Sequence, residues 1–240
     1  MGLKNVALCQ LSVPLPDIQI ESRTHEESIL KPRELPTVNK WSVFELNGWN
    51  TPKAFEQPHF ASMAIELIKK LHDSVGMDVV LIEQQRMRSG GSRSVPEVIA
   101  QINVLEGMLH ALLANDRTCF TESVSPAKVT SYWVGDDAQP TVKKLSPSQR
   151  YARTKKAKVA VVDKWLDHIS TTTGSDATDV PVQFADNVIS DFHNQATRLK
   201  KRDDLCDSLL QAVAWTHWQT NRALVHRNLH SNLDVHNLLR

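Results

Sequence analysis

A chain of 240 residues, whose 28 Lys and Arg nearly balance 27 Asp and Glu for a net charge of +1, can bury a substantial core and carries no general basic excess. Cys9, Cys119 and Cys206 stand far apart in no metal-ligand spacing, which argues for a reducing compartment and against a disulfide framework. No apolar run approaches the roughly 20 residues of a membrane helix, and no targeting segment is visible. Any basic surface must therefore come from local clustering.

Residues 3–13 read as a first strand, ended by Pro14 and Pro16. The polar stretch that follows, with Pro32 and Pro36, offers at most an irregular edge strand at 17–20. Residues 40–46 alternate as a further strand, and 48–58 form a loop. From 59 to 74, Phe60, Met63, Ala64, Leu67, Ile68 and Leu71 recur at helical spacing, with Gly76 placed to close the helix. Val79-Val80-Leu81-Ile82 is a short apolar run suited to a buried strand, and Glu83 falls at its C-terminal edge, where open α/β sheets place their chemistry. A turn at 86–94 contains Gly90-Gly91. Pro96 sits where a helix begins, and Val98, Ile102, Leu105, Leu109 and Leu112 mark its stripe to about Ala114. Residues 118–124 are rich in strand formers. Pro126 opens a helix through Trp133, and 135–150 read as a loop. Residues 151–169 form a basic helix with Val159, Val162 and Trp165 on its buried side. A Thr, Ser and Asp-rich connection covers 171–180, and a last strong helix runs from about 203 to 222. The sum is a mixed α/β sheet with helices on its faces, in one domain over 1–240 with 223–240 as a polar tail.

Two carboxylate groups could carry chemistry. A strand-end carboxylate such as Glu83 is costly unless solvated or paired with a cation or metal. On a helix, Asp204 and Asp207 share a face three residues apart, and two bare carboxylates about 5 Å apart repel by roughly 3 kcal/mol at an effective dielectric near 20. A divalent ion reverses that sign, and three hard oxygen donors suit Mg²⁺. The plainer reading of Asp203 is a first-turn acid that favours the helix dipole. Arg86, Arg88 and Arg93 flank the Gly-rich turn. Lys143, Lys144, Arg150, Arg153, Lys155, Lys156 and Lys158 fill a stretch with no acid between Asp137 and Asp163. Such segregation is the footprint of a phosphate backbone, or of a basic helix that is merely solvated. His226 and His230 lack a third ligand, Gly90-Gly91 lacks the Lys-Ser/Thr of a phosphate loop, and Cys206 reads as a small buried side chain.

The run Leu81-Ile82-Glu83-Gln84-Gln85-Arg86-Met87-Arg88-Ser89-Gly90 resembles the fungal mitochondrial Holliday-junction resolvases, relatives of bacterial RuvC. So do Trp41-Ser42-Val43, the helix from Phe60 to His72, Asn103-Val104-Leu105-Glu106-Gly107-Met108-Leu109, Ser125-Pro126 with Ser131-Tyr132-Trp133, and the segment from Lys200 to Leu210 followed by Trp215 and Trp218. The resemblance covers nearly the whole chain. It implies a ribonuclease H-like five-stranded mixed sheet flanked by helices, and a metal-dependent endonuclease cutting four-way DNA junctions by paired nicks in mitochondrial recombination. It implies that Glu83, Asp204 and Asp207 are catalytic and hold Mg²⁺, as two ions that Mn²⁺ can replace, with Asp203 as an extra or substitute ligand. Lys4, Gln85, Arg86, Arg88, Ser89, Arg93 and the basic segment from Lys143 to Lys158 would contact DNA, and the protein would act as a homodimer away from membranes. The family's first strand carries Gly-X-Asp-X-Gly-X-Lys-Asn, whose Asp is a ligand. Here Gly2-Leu3-Lys4-Asn5 is present and Met1 follows the position of that Asp. The expectation is a first strand cut short by a misplaced or truncated start, and weak metal binding and cleavage by the chain as written. The alternative is a catalytically inert junction-binding protein.

Overall fold

The structure, a computed structural model, describes residues 5–14, 34–46, 56–72, 77–85, 97–116, 119–135, 146–171, 180–199 and 202–230. In chain order the elements are β1 (Asn5–Ser12), β2 (Thr37–Glu45), α1 (Gln57–His72), β3 (Val79–Glu83), α2 (Glu97–Asp116), β4 (Phe120–Val124), α3 (Pro126–Val134), α4 (Pro147–Thr171), β5 (Gln183–Phe184), α5 (Val188–Leu199) and α6 (Arg202–His230). β1 pairs antiparallel with β2, β2 pairs parallel with β5, and β3 pairs parallel with β4. The result is a mixed α/β fold.

Period-two alternation makes the strands a partition between two apolar cores. On one side Val6 and Leu8 of β1, Phe44 of β2 and Ile82 of β3 pack with Phe60, Met63, Ala64, Leu67 and Leu71 of α1 and with Leu105, Leu109 and Leu113 of α2. On the other side Cys9 and Leu11, Trp41 and Val43, and Leu81 meet the buried faces of α4, α5 and α6. The register of β1 and β2 shifts between Gln10 and Leu11, so that Lys40 and Val38, not Asn39, take consecutive partners. This bulge puts Val38 and Trp41 on the same core although they are three positions apart, a spacing that regular alternation would send to opposite faces. α6 is the hub of the second core: Leu205, Cys206, Leu209, Leu210, Val213 and Ala214 are all fully buried.

Expectation and structure differ at several places. The five strands do not form one ladder: among the described residues the hydrogen bonding falls into β1-β2-β5 and β3-β4. Side chains of the two shared cores, not backbone pairs, join the two sheets. A further strand among the described residues is β5, which the sequence did not announce; the edge strand expected at 17–20 lies outside the described residues, together with Gly76 and Gly90-Gly91. α4 begins one turn earlier than expected, at Pro147, and α6 continues past residue 222 to His230. α5 was not anticipated, although Val188, Ile189, Phe192 and Ala196 mark its apolar side. Asn187 precedes it at φ 67°, a left-handed conformation that Asn tolerates better than most side chains. α3 follows its sequence signals, with Pro126 in its first turn and Gly135 at φ 69° donating its N–H to the Ser131 carbonyl.

Candidate active site

β3 ends at Glu83, the C-terminal strand edge, as its sequence implies. Beyond it Gln84 donates its N–H to the Val124 carbonyl at 2.9 Å. The next residue is tied to α2: the Gln85 N–H donates to Oε2 of Glu106 at 2.9 Å, and its side-chain amide donates to the Glu83 carbonyl at 3.1 Å. Glu106 is buried, and His110, one turn along, bonds Ser123 Oγ at 2.9 Å. The chain direction after Glu83 is therefore set by a carboxylate that the sequence reading did not single out. Its signal was an acid interrupting the apolar stripe between Leu105 and Leu109.

The facing wall is the start of α6. Asp203 and Asp204 lie in its first turn, where carboxylates complement the helix dipole, and Asp207 lies one turn further in. Trp41 of β2 fixes this end, its Nε1 donating to the Leu205 carbonyl at 2.8 Å while its ring stacks on Phe192 at 4.0 Å between centroids. Asp207 feels both neighbours. Burial pushes its carboxyl above the usual range, the Lys158 ammonium draws it down, and the Glu83 and Asp203 carboxylates push it up again. Glu83, Asp203 and Asp207 thus share one electrostatic site, built from a strand end and a helix start distant in sequence.

The basic helix enters this site directly. Lys155 of α4 pairs with Asp203, and Lys158 Nζ lies 2.7 Å from Asp207 Oδ1. The Lys158 side chain is only 12% exposed, against 37% for Lys155. Burial opposes the Lys155 ammonium, yet Asp203 beside it, with Tyr151 and Asp204 adding, leaves its pKa raised. Arg150, Arg153 and Lys156 are exposed on the other side of the same helix. The expectation of one uniform phosphate-binding surface is therefore divided: Lys155 and Lys158 face carboxylates. Lys4, Arg86, Arg88, Ser89, Arg93, Lys143 and Lys144 lie outside the described residues.

Hard carboxylate oxygens in a common field, with burial sharpening their repulsion at Asp207, fit a divalent cation such as Mg²⁺ in chemistry and charge. As placed, no three acidic, His or Cys side chains among the described residues stand close enough to enclose an ion. Two of the carboxylates are engaged by ammonium groups instead. Cys206 is excluded as a nucleophile, because burial pushes its thiol up to about 12 despite the pull of Arg202.

The family model described as "Mitochondrial resolvase Ydc2 / RNA splicing MRS1" matches residues 1–225. A Schizosaccharomyces pombe protein named "Cruciform cutting endonuclease 1, mitochondrial" is 26% identical over 234 residues, covering 91% of this chain and 76% of its own. A Saccharomyces cerevisiae protein of the same name is 26% identical over 223 residues, covering 78% of this chain and 62% of its own. A solved structure, named as the yeast mitochondrial Holliday junction resolvase Ydc2, superposes with a TM-score of 0.59 at 26% identity, over 92% of this chain and 76% of that one. With a family match spanning nearly all of its length and a fold to go with it, the chain belongs to the mitochondrial resolvase Ydc2 / RNA splicing MRS1 family.

Proposed function

We propose that this chain is a mitochondrial structure-specific endonuclease that resolves four-way DNA junctions by paired nicks, working as a homodimer on a ribonuclease H-like scaffold. The observation that carries the reading is that Asp207, at the start of α6, lies within the electrostatic reach of Glu83, at the end of β3, and of Asp203, beside a helix whose outer side is basic. Glu83, Asp204 and Asp207, with Asp203 as a further donor, are the residues that would hold Mg²⁺, two ions in all, with Mn²⁺ as a substitute. When bound, Mg²⁺ supplies charge that neutralises a phosphate and makes water a better nucleophile at neutral pH.

The chain's own residues set the stage for that chemistry. Glu106 and Gln85 hold the backbone after Glu83, so its carboxylate leaves the sheet in a fixed direction. Trp41 of β2 holds the first turn of α6 through the Leu205 carbonyl, which fixes the start of the helix that carries Asp203, Asp204 and Asp207. Arg150, Arg153 and Lys156 supply exposed positive charge for a phosphate backbone, which positions a junction without reading its sequence. A two-fold assembly would present two such sites to opposed strands of a four-way substrate.

The test incubates the purified chain with an end-labelled four-way junction, a linear duplex of the same sequence and a structured RNA, with and without Mg²⁺. Selective binding of the junction, with slow paired nicks on opposed strands that appear only with metal, is the expected result. Selective junction binding without cutting points to a binding protein, preference for the RNA to the splicing branch of the family, and no selectivity overturns the reading.

A further inference from the structure

We propose that Lys155 and Lys158 are exchangeable counter-ions of the carboxylate site: they occupy the acids that take the metal, and move to the phosphate when the nucleic acid arrives. Several independent observations meet here. Lys155 is paired with Asp203, and Lys158 with Asp207 at 2.7 Å. On α4 these lysines are three residues apart, and on α6 the aspartates are four apart, so both pairs form at once where two helices lie side by side. Lys158 is the more enclosed, which places its charge inside the site and not on a solvated surface.

A carboxylate oxygen that accepts from an ammonium group at 2.7 Å has that lone pair occupied, and a divalent ion cannot approach the same oxygen without displacing the ammonium. Metal and lysine therefore compete. A phosphate reverses the contest: it offers the displaced ammonium groups new anionic oxygens within reach of the same flexible stems. Binding of nucleic acid and binding of metal then favour each other, and by linkage the favour is reciprocal. Lys155 and Lys158 are positioning residues in this scheme. The exchange with phosphate rests on the reading of a DNA substrate given above, whereas the competition with metal does not.

The experiment measures Mn²⁺ affinity by calorimetry on the full chain, using the wild type, Lys158→Met, Lys158→Arg and Lys155→Met, each checked for folding by circular dichroism and thermal melting. Methionine keeps the apolar stem and removes the charge; arginine keeps the charge. Lys158→Met is expected to bind Mn²⁺ roughly tenfold more tightly than the wild type in the absence of DNA, within the range of ordinary site coupling. Lys155→Met should show a smaller gain and Lys158→Arg none. Repeating the titration with a four-way junction carrying uncleavable phosphates should tighten metal binding by the wild type and leave Lys158→Met unchanged. Equal or weaker binding by Lys158→Met, or no binding by either chain, overturns the competition. If the variant binds more tightly but the wild type shows no preference for a junction over a duplex, the competition stands and the junction reading falls.

Discussion

The two sides of α4 carry the same kinds of residue and do opposite things. At 3.6 residues per turn, Lys155 and Lys158 project from one side of the helix, and Arg150, Arg153 and Lys156 from roughly the other. The inner pair meets Asp203 and Asp207; the outer three are exposed. A run of basic residues in a sequence is thus not one surface. Helical phase decides which charges meet the acids of α6 and which side chains stand exposed to solvent.

The comparison can be broken or sharpened by experiment. The largest effect belongs to the acids proposed to hold the metal: Glu83→Gln and Asp207→Asn should each lower junction cleavage on the order of a hundredfold or more, the scale for removing one group that stabilises charge in the transition state. Gel-shift binding of the junction should survive in both, and cleavage at the unsubstituted rate would remove these residues from the site. Next comes the anchor of the acidic wall. Trp41→Ala should cost about 3–5 kcal/mol in urea unfolding, as large-to-small changes in cores do. Trp41→Phe should keep most of the packing and lose only the hydrogen bond to Leu205, about 1 kcal/mol.

On the outer side, Arg153→Ala and Lys156→Ala should each flatten the salt dependence of DNA binding by about one unit of slope and leave Mn²⁺ affinity alone. A shift in metal affinity like that expected of Lys158→Met would erase the distinction between the two sides. The smallest effect is a control remote from the site. His217 accepts or donates to the Tyr132 hydroxyl at 2.8 Å, and burial lowers its pKa. A depressed imidazole contributes stability fully above its unfolded value of about 6.5, and that contribution is lost as pH falls through the folded value. Melting temperature should therefore drop more steeply on acidification in the wild type than in His217→Gln.

Much of the frame was legible because its signals are local. The α1 stripe from Phe60 to Leu71, the apolar run before Glu83 and Pro126 at a helix start each declare an element within a few residues. Glu83 and the aspartates of α6 stood out as candidate donors for the same reason, and Asp207 lies within the electrostatic reach of Glu83 and Asp203. The rest depended on packing. β5 is two residues long, too short for any period to show. α5 has five apolar positions among twelve, two of them at its start, and is preceded by a Thr, Ser and Asp-rich connection. The direction in which Lys155 and Lys158 point follows from how α4 lies against α6, and no pattern within 143–158 records it.

The bulge at Asn39 deserves a last thought as a piece of grammar. A strand that serves two cores must keep count, since every second residue speaks to one neighbour and the others to its opposite. One additional residue between Val38 and Lys40 resets that count partway along β2, so the same strand addresses α5 and α6 with both Val38 and Trp41. Deleting Asn39 would leave composition and hydrophobicity almost untouched and yet misdirect everything upstream of it. A substitution in this strand is felt at one position, whereas a change in the number of its residues is felt at every position beyond it.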